Sequence, residues 1–163
     1  MLIQFNFKNY KSFRDETALD LSATKMKEFE SSVVTIGGEK ILPVAAVYGA
    51  NASGKSNVYS AFEFMTAYVK KSFFYGDDDK TFADARPTPF LFDSRARNAE
   101  SLFEVYFTIP GENAEKTYNY GFCIDETGIT EEWLNTKAKS AREFKSVFYR
   151  NTEKQELDLR GIA

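Results

Sequence analysis

Histidine is absent from this chain, and cysteine occurs once, at Cys123. The first absence excludes serine and cysteine triads that depend on imidazole, His-ligated metals and histidine proton relays. A single cysteine excludes an internal disulfide framework and, without C-x-x-C spacing, a cysteine-based zinc site. Cys123 reads instead as a small apolar strand residue rather than a reactive thiol. No apolar run approaches the ~18 residues of a membrane span. The N-terminus, Met1-Leu2-Ile3-Gln4-Phe5, meets Asn6, Lys8 and Asn9 too soon to be a secretory signal. No membrane partner is expected, and a cytoplasmic address is the default. A net charge of −3 gives no overall basic footprint for nucleic acid, although a local basic patch stays open. Any reaction must therefore run on phosphate electrostatics, Mg²⁺, carboxylates, lysine or arginine.

What is present suits a single domain of 163 residues, read in three parts. Residues 1–71 hold N-terminal strands and a helix. Ile3, Phe5 and Phe7 alternate with polar neighbours, as do Leu19 and Leu21 around Asp20, and Val33 to Ile36 leads into the hairpin signal Gly37-Gly38. Residues 72–101 read as a long irregular connection containing Asp77-Asp78-Asp79. A solvated acidic loop is the reading of that triplet, with a divalent-cation site as the alternative. From 102 to 159 the period is two: Phe103, Val105, Phe107 and Ile109, then a turn at Pro110 to Asn113, then Tyr118, Tyr120, Phe122 and Ile124. Three further strands at 129–136, 147–149 and 157–159 complete an antiparallel meander with an aromatic face and a polar face. The aromatic face reads as core rather than as a base-stacking surface.

Within the first part, between its strands and its helix, lies the motif that carries chemistry. Gly49-Ala50-Asn51-Ala52-Ser53-Gly54-Lys55-Ser56 reads G-x-x-x-x-G-K-S, the phosphate-cradling P-loop. Its glycines allow backbone N–H groups to turn inward on phosphates, and a following helix N-terminus adds partial positive charge. Lys55 is placed to reach the β- and γ-phosphates, and Ser56 to ligate Mg²⁺. The flanks agree: Val44-Ala45-Ala46-Val47-Tyr48 reads as a strand buried on both faces, and Val58, Ala61, Phe62, Met65 and Val69 form one stripe of a helix from Gly54 to about Lys71. A nucleoside triphosphate is the expected ligand.

Two fragments imitate the usual partners of such a loop. Phe90-Leu91-Phe92-Asp93 resembles the end of a Walker B strand, yet Pro89 precedes it and Ser94 stands where a glutamate is needed. Asp125-Glu126-Thr127-Gly128 matches the D-x-x-G of a GTPase switch, but its flanking strands favour a hairpin turn. Asn151-Thr152-Glu153-Lys154 only approximates a guanine-reading element.

Phe7-Lys8-Asn9-Tyr10-Lys11-Ser12-Phe13, followed by the P-loop and Asn57, resembles the N-terminal half of ABC-class ATPases of the SMC, OLD and DNA-repair type, in particular bacterial AAA family ATP-binding proteins linked to abortive infection and anti-phage defence. The resemblance implies an α/β P-loop NTPase fold: lobe I of an ABC-type ATPase head, with N-terminal strands, one P-loop helix and a C-terminal antiparallel β-meander. It implies ATP and Mg²⁺ as cofactors, surrounded by Gly49, Asn51, Ser53, Gly54, Lys55, Ser56 and Asn57, with Lys11 and Ser12 on a turn near the nucleotide. It further implies a second ATPase head as partner in a homodimer, with a nuclease or other effector and DNA as possible partners of the complete protein. The family's S-G-G signature, Asp-Glu-ended Walker B strand and switch histidine are all missing, and Gln155 sits poorly for a Mg²⁺-sensing glutamine. The chain therefore reads as the N-terminal piece of a longer ATPase, binding nucleotide without significant turnover and containing no identifiable catalytic residue. A self-contained P-loop GTPase or kinase, and a non-enzymatic interaction module with structural nucleotide, are the alternatives.

Overall fold

A computed structural model describes residues 1–23, 30–72, 86–109, 116–159 and 161. Its main element is a seven-stranded sheet in the order β2-β1-β5-β6-β7-β8-β9. The strands are β1 (Leu2–Lys8), β2 (Thr17–Asp20), β5 (Ser101–Thr108), β6 (Lys116–Ile124), β7 (Ile129–Ala138), β8 (Lys145–Asn151) and β9 (Glu156–Asp158). Every neighbouring pair in it runs antiparallel. A small hairpin of β3 (Val34–Ile36) and β4 (Glu39–Ile41) turns at Gly37 and Gly38, whose φ angles of 64° and 86° suit glycine. The long helix α1 spans Lys55–Lys71, and a short helix α2 spans Ser94–Arg97. The chain is thus α/β, with one long helix and a mainly antiparallel sheet. The N-terminal strands do not form a separate unit: β1 lies inside the sheet, between β2 and the meander.

Register explains why the alternating aromatics become one core. Phe7 pairs with Phe103, and Phe103 with Phe122, so their rings meet on one face, Phe103 and Phe122 at 5.5 Å between centroids. Helix α1 covers that face with Ala61, Met65 and Tyr68, joined by the half-buried Val58, Phe62 and Phe64. Fully burying each such side chain contributes about 1.5–3 kcal/mol, which is why the aromatic stripe is spent on packing. The helix stripe differs from the sequence reading at its end: Val69 is exposed and Tyr68, stacked on Phe122, takes the inward position. Ile109 likewise lies beyond β5 and is exposed.

The opposite face is polar and cross-linked. Glu104 accepts from Asn6 and Asn119 at 2.8 Å each, Gln4 donates to Asn6, and Asn135 donates to Asn119. This amide ladder joins β1, β5, β6 and β7, and it pins the register that the aromatic face also needs. Cys123 is buried on β6, and burial, followed by nearby Glu100 and Glu131, pushes its thiol up to about 12. The thiol is held protonated, in keeping with a packing role.

Two features near the site depart from motif imitation. Asp125 closes the β6–β7 hairpin: its carboxylate accepts from the Thr127 amide (2.7 Å), the Thr127 hydroxyl (2.7 Å) and the Gly128 amide (3.2 Å). Asp93 does not end a strand; it caps α2 by accepting from the Arg95 amide at 2.8 Å, and neighbouring Phe92 is exposed. The GTPase-switch and Walker B readings of these aspartates are therefore replaced by turn and cap chemistry. Asp77-Asp78-Asp79, the Pro110–Asn113 turn and residues 73–85 of the 72–101 connection lie outside the described residues.

The segment that follows Arg86 is anchored by one side chain. Asn9, only 2% exposed and at φ 53°, donates through Nδ2 to the carbonyls of Ala96, Ala99 and Glu100, and accepts through Oδ1 from the Phe90 amide. The Lys11 amide donates to Thr88 O at 2.8 Å, and Ser101 Oγ donates to Asn9 O at 2.7 Å. Removing Asn9 orphans several buried groups at once and leaves a left-handed backbone to an ordinary residue. Asn9→Ala is expected to lower stability in urea unfolding by about 2–4 kcal/mol. Asn9→Gly loses the same bonds without the backbone strain and should be milder by about 1 kcal/mol. A second expectation concerns acid. Partial burial raises the Asp125 carboxyl, but hydrogen bonds from Thr127 and Gly128 outweigh it and hold the group below its ordinary 3.8. A lowered folded value means its contribution is complete above that ordinary range and lost as pH falls through the lowered value. Asp125→Asn should therefore cost less than about 1 kcal/mol at pH 7, and calorimetry should find the gap between the two proteins narrowing toward pH 3.

Candidate functional site

Helix α1 begins where the loop ends. Gly54 is its N-cap at φ 90°, and it accepts from the Asn57 and Val58 amides at 2.8 and 3.3 Å. A residue with a side chain is disfavoured there twice over: by the left-handed backbone, and because a Cβ would come within 2.9 Å of Ser12 Oγ and 3.2 Å of the Phe13 ring. At Gly49 a Cβ would meet Ser53 Oγ at 2.8 Å. Gly54 is thus required by its backbone and by close approach together, whereas at Gly49 the exposed Ser53 hydroxyl could turn aside. Among the described residues, Ser53 is the one member of 51–56 whose amide donates to a backbone carbonyl, that of Ala50 at 3.3 Å. The remaining amides, with the positive end of α1, form a donor set suited to a polyanion.

Lys55 is half-buried, and its ammonium donates to Gly49 O (2.7 Å), Ala50 O (2.6 Å) and Ser53 Oγ (3.4 Å). The charge therefore sits inside the loop it is expected to serve, held by groups that a phosphate would outcompete, since charge-assisted bonds to an anion are the stronger kind. Ser56 is exposed on the first turn of α1, and Asn51 is exposed on the loop. Asn57 donates through Nδ2 to Ser12 Oγ at 2.8 Å.

That last bond brings the 9–15 turn, 45 residues away in sequence, onto the start of the helix. Ser12 is thereby placed beside the first turn of α1, next to Gly54. Lys11 is on the same turn, at φ 49°, but its ammonium lies 5.3 Å from the centre of the Tyr10 ring. The sequence reading missed Asn9, Arg14 and Phe90 as parts of this neighbourhood. Arg14 pairs with Asp15 at 3.0 Å and with Asp93 at 3.6 Å, bridging the turn to the cap of α2. Asparagine at a position that needs left-handed backbone was the one legible signal for Asn9.

The run before the loop differs from expectation. Val44, Val47 and Tyr48 are 78%, 51% and 89% exposed, and residues 44–50 belong to no strand. A strand buried on both faces needs neighbours on two sides, and among the described residues no strand pairs with this segment. No cluster of three or more metal-ligating side chains occurs among the described residues, so a metal here would rest on Ser56 and on the ligand's own oxygens. The donor set fits Mg²⁺ with a triphosphate on that basis. No described helix is long and apolar enough to cross a membrane, which says nothing of β-barrel spans.

A search of the curated proteins finds no match to the chain. A family model does match, over residues 44–158, that is, from the run before the P-loop to the last strand of the sheet. The matched segment includes the loop, α1 and the whole meander. On that match the chain belongs to the family described as "AAA domain, putative AbiEii toxin, Type IV TA system", and so to the nucleotide-binding P-loop ATPases.

Proposed function

We propose that this chain is the ATP-binding lobe of an ABC/SMC-like ATPase head, part of a longer ATPase acting in anti-phage defence or DNA processing. The observation that carries the reading is the loop itself: Gly54, whose left-handed backbone and close neighbours disfavour a Cβ, a set of amides that, Ser53 apart, find no backbone acceptor among the described residues, and the Lys55 ammonium held on the loop's own carbonyls. In this reading Gly49, Asn51, Ser53, Gly54 and Asn57 line the triphosphate, and Lys55 leaves the Gly49 and Ala50 carbonyls to meet it. Ser12 and Lys11 approach from the neighbouring turn. Ser56 contributes its hydroxyl to Mg²⁺, whose charge would neutralise phosphate oxygens during transfer.

Hydrolysis needs more than this. A water must be oriented by a carboxylate, and transition-state charge must be met from outside the loop. Asp93 and Asp125 are committed to a cap and a hairpin, which removes the residues on which a self-contained GTPase or kinase would depend. The aromatic face lies under α1, which weakens the reading as an interaction module built on it. The proposal assigns the missing groups to the remainder of the head and to a second head in a homodimer. The exposed apolar run 44–48 supports this, because it has the composition of an interior strand without the neighbours such a strand requires.

Calorimetric titration with Mg·ATP is expected to show binding that Lys55→Ala weakens at least tenfold, with little change in melting temperature, because the Lys55 bonds lie at the surface of the loop. Steady-state ATP hydrolysis by the chain should not exceed that of Lys55→Ala. Turnover that the substitution abolishes would show that the chain is a complete enzyme.

A further inference from the structure

One face of the sheet lies under α1, and the other carries Trp133, the only tryptophan of the chain. Phe122 points toward the helix and stacks on Tyr68, so its neighbours Gly121 and Cys123, with the residues paired to them, point the other way. Register then builds two adjacent rows across β6, β7, β8 and β9: Gly121, Trp133, Tyr149 and Asp158 in one, Cys123, Glu131, Asn151 and Glu156 in the other. We infer that these rows dock a basic, arginine-bearing segment of a protein partner.

The indole is the platform. A Cβ on Gly121 would stand 2.3 Å from Trp133 Cζ2 and 2.6 Å from Cε2, so the ring fills the space above that glycine where any side chain would stand. Trp133 nevertheless keeps part of its surface open to solvent, and among the described residues no cation stands over it. Beside it Tyr149 is fixed through its hydroxyl, which donates to Glu131 Oε1 at 2.6 Å and accepts from Asn151 at 3.4 Å. Both rings are thus held before any partner arrives, which reduces the ordering cost of binding.

Charge decides what kind of partner fits. Across β7, β8 and β9 the charged residues of the two rows are Glu131, Asp158 and Glu156, all acidic. The neighbouring cations are placed elsewhere. Arg150 points to the opposite face and pairs with Glu132 at 2.7 Å, Lys137 pairs with Glu39 at 3.1 Å, and Lys154 stands on the turn between β8 and β9. A surface of this sign repels phosphate, so nucleic acid is disfavoured. It attracts a guanidinium, whose plane stacks on an indole while its N–H groups bond carboxylates.

The rest of the face limits where such a segment lies. Toward the end of β7 the face is crossed by the β3–β4 hairpin: Lys137 donates to Glu39, and Gly38 sits against the Lys139 side chain. Trp133 and Glu131 are at the end that the hairpin leaves clear. From there the surface runs to the edge strand β9, where a cleft of about 780 Å³ is lined by Tyr149, Glu156, Leu157, Asp158 and Leu159. Leu157 and Leu159 are exposed, and they offer apolar contact to the aliphatic stem of an arginine whose head group reaches the carboxylates.

The probe is a fluorescein-labelled hexa-arginine peptide, followed by anisotropy, with an unlabelled copy followed by the emission of Trp133, which reports this face alone because the chain has no other tryptophan. The peptide should bind saturably, change that emission and shield Trp133 from quenching by acrylamide. Glu156→Lys, on the exposed edge strand, should weaken it on the order of tenfold. Glu63→Lys makes the same change in net charge on α1, across the sheet, and should alter the affinity less than about twofold. Equal losses in the two variants would reduce the effect to net charge and overturn the assignment. So would binding of hexaglutamate or oligothymidylate as tight as that of hexa-arginine. Should Glu156→Lys prove unstable, wild type still decides: saturable anisotropy with unchanged emission and unchanged acrylamide quenching would place the peptide away from Trp133 and refute the docking surface, as would no binding at all.

Discussion

The carboxamide of Asn9 is the constraint on which the site's architecture depends. One planar group, nearly inaccessible to water, gathers three carbonyls from the 96–100 stretch and one amide from Phe90. No apolar side chain could replace it, because those backbone groups would then be buried without partners. The residue also supplies the left-handed turn that sends the chain from β1 back toward α1. Through it, the 9–15 turn and the 86–101 stretch become one body. That body meets the first turns of α1 through the bond from Asn57 to Ser12 and through the Tyr10 hydroxyl, which donates to Ser60 O at 3.2 Å.

A second constraint is the double pinning of the sheet. The aromatic face alone would tolerate several registers, since many ring pairs have similar energies. The amide ladder through Asn6, Glu104, Asn119 and Asn135 has no such freedom, because a slip of one residue would point every amide into the helix-covered core. Apolar packing thus supplies most of the stabilisation, and the polar face supplies the specificity. The consequence reaches the site: β1 delivers the 9–15 turn, and β5 begins directly after the stretch that Asn9 holds.

Much of this was legible in residue order. Alternation located β1, β5, β6 and β7, and the G-x-x-x-x-G-K-S spacing located the start of α1 almost to the residue. These signals are local, carried by side chains a few positions apart. What could not be read is non-local. Nothing near Phe90 in sequence announces that its amide bonds Asn9, 81 residues earlier. Asp125 and Asp93 match functional patterns by letter, but their hydrogen-bond capacity is spent on neighbours two and three residues away. The run 44–48 has the composition of a buried strand and stands exposed, because composition states what a segment needs and not whether its neighbours are present.

Among the described residues, the stretch that the proposal credits with the chemistry is one of the least supported. The core elements are held by paired strands and packed rings, whereas residues 44–53 are exposed and lie outside any sheet. Ordering that stretch has an entropic cost, which falls on whichever interaction orders it first. On the proposed reading, a strand that paired with 44–48 and an anion that engaged the following amides would act on the same few residues of backbone. Each lowers the cost that the other must meet, so the two events are positively coupled even without direct contact. Under the proposal, loop affinity and assembly of a sheet around the apolar run would in that sense be one equilibrium viewed from two sides. The fixed body built on Asn9 gives that equilibrium its reference point, since Ser12 holds the helix end of the loop whatever the strand end does.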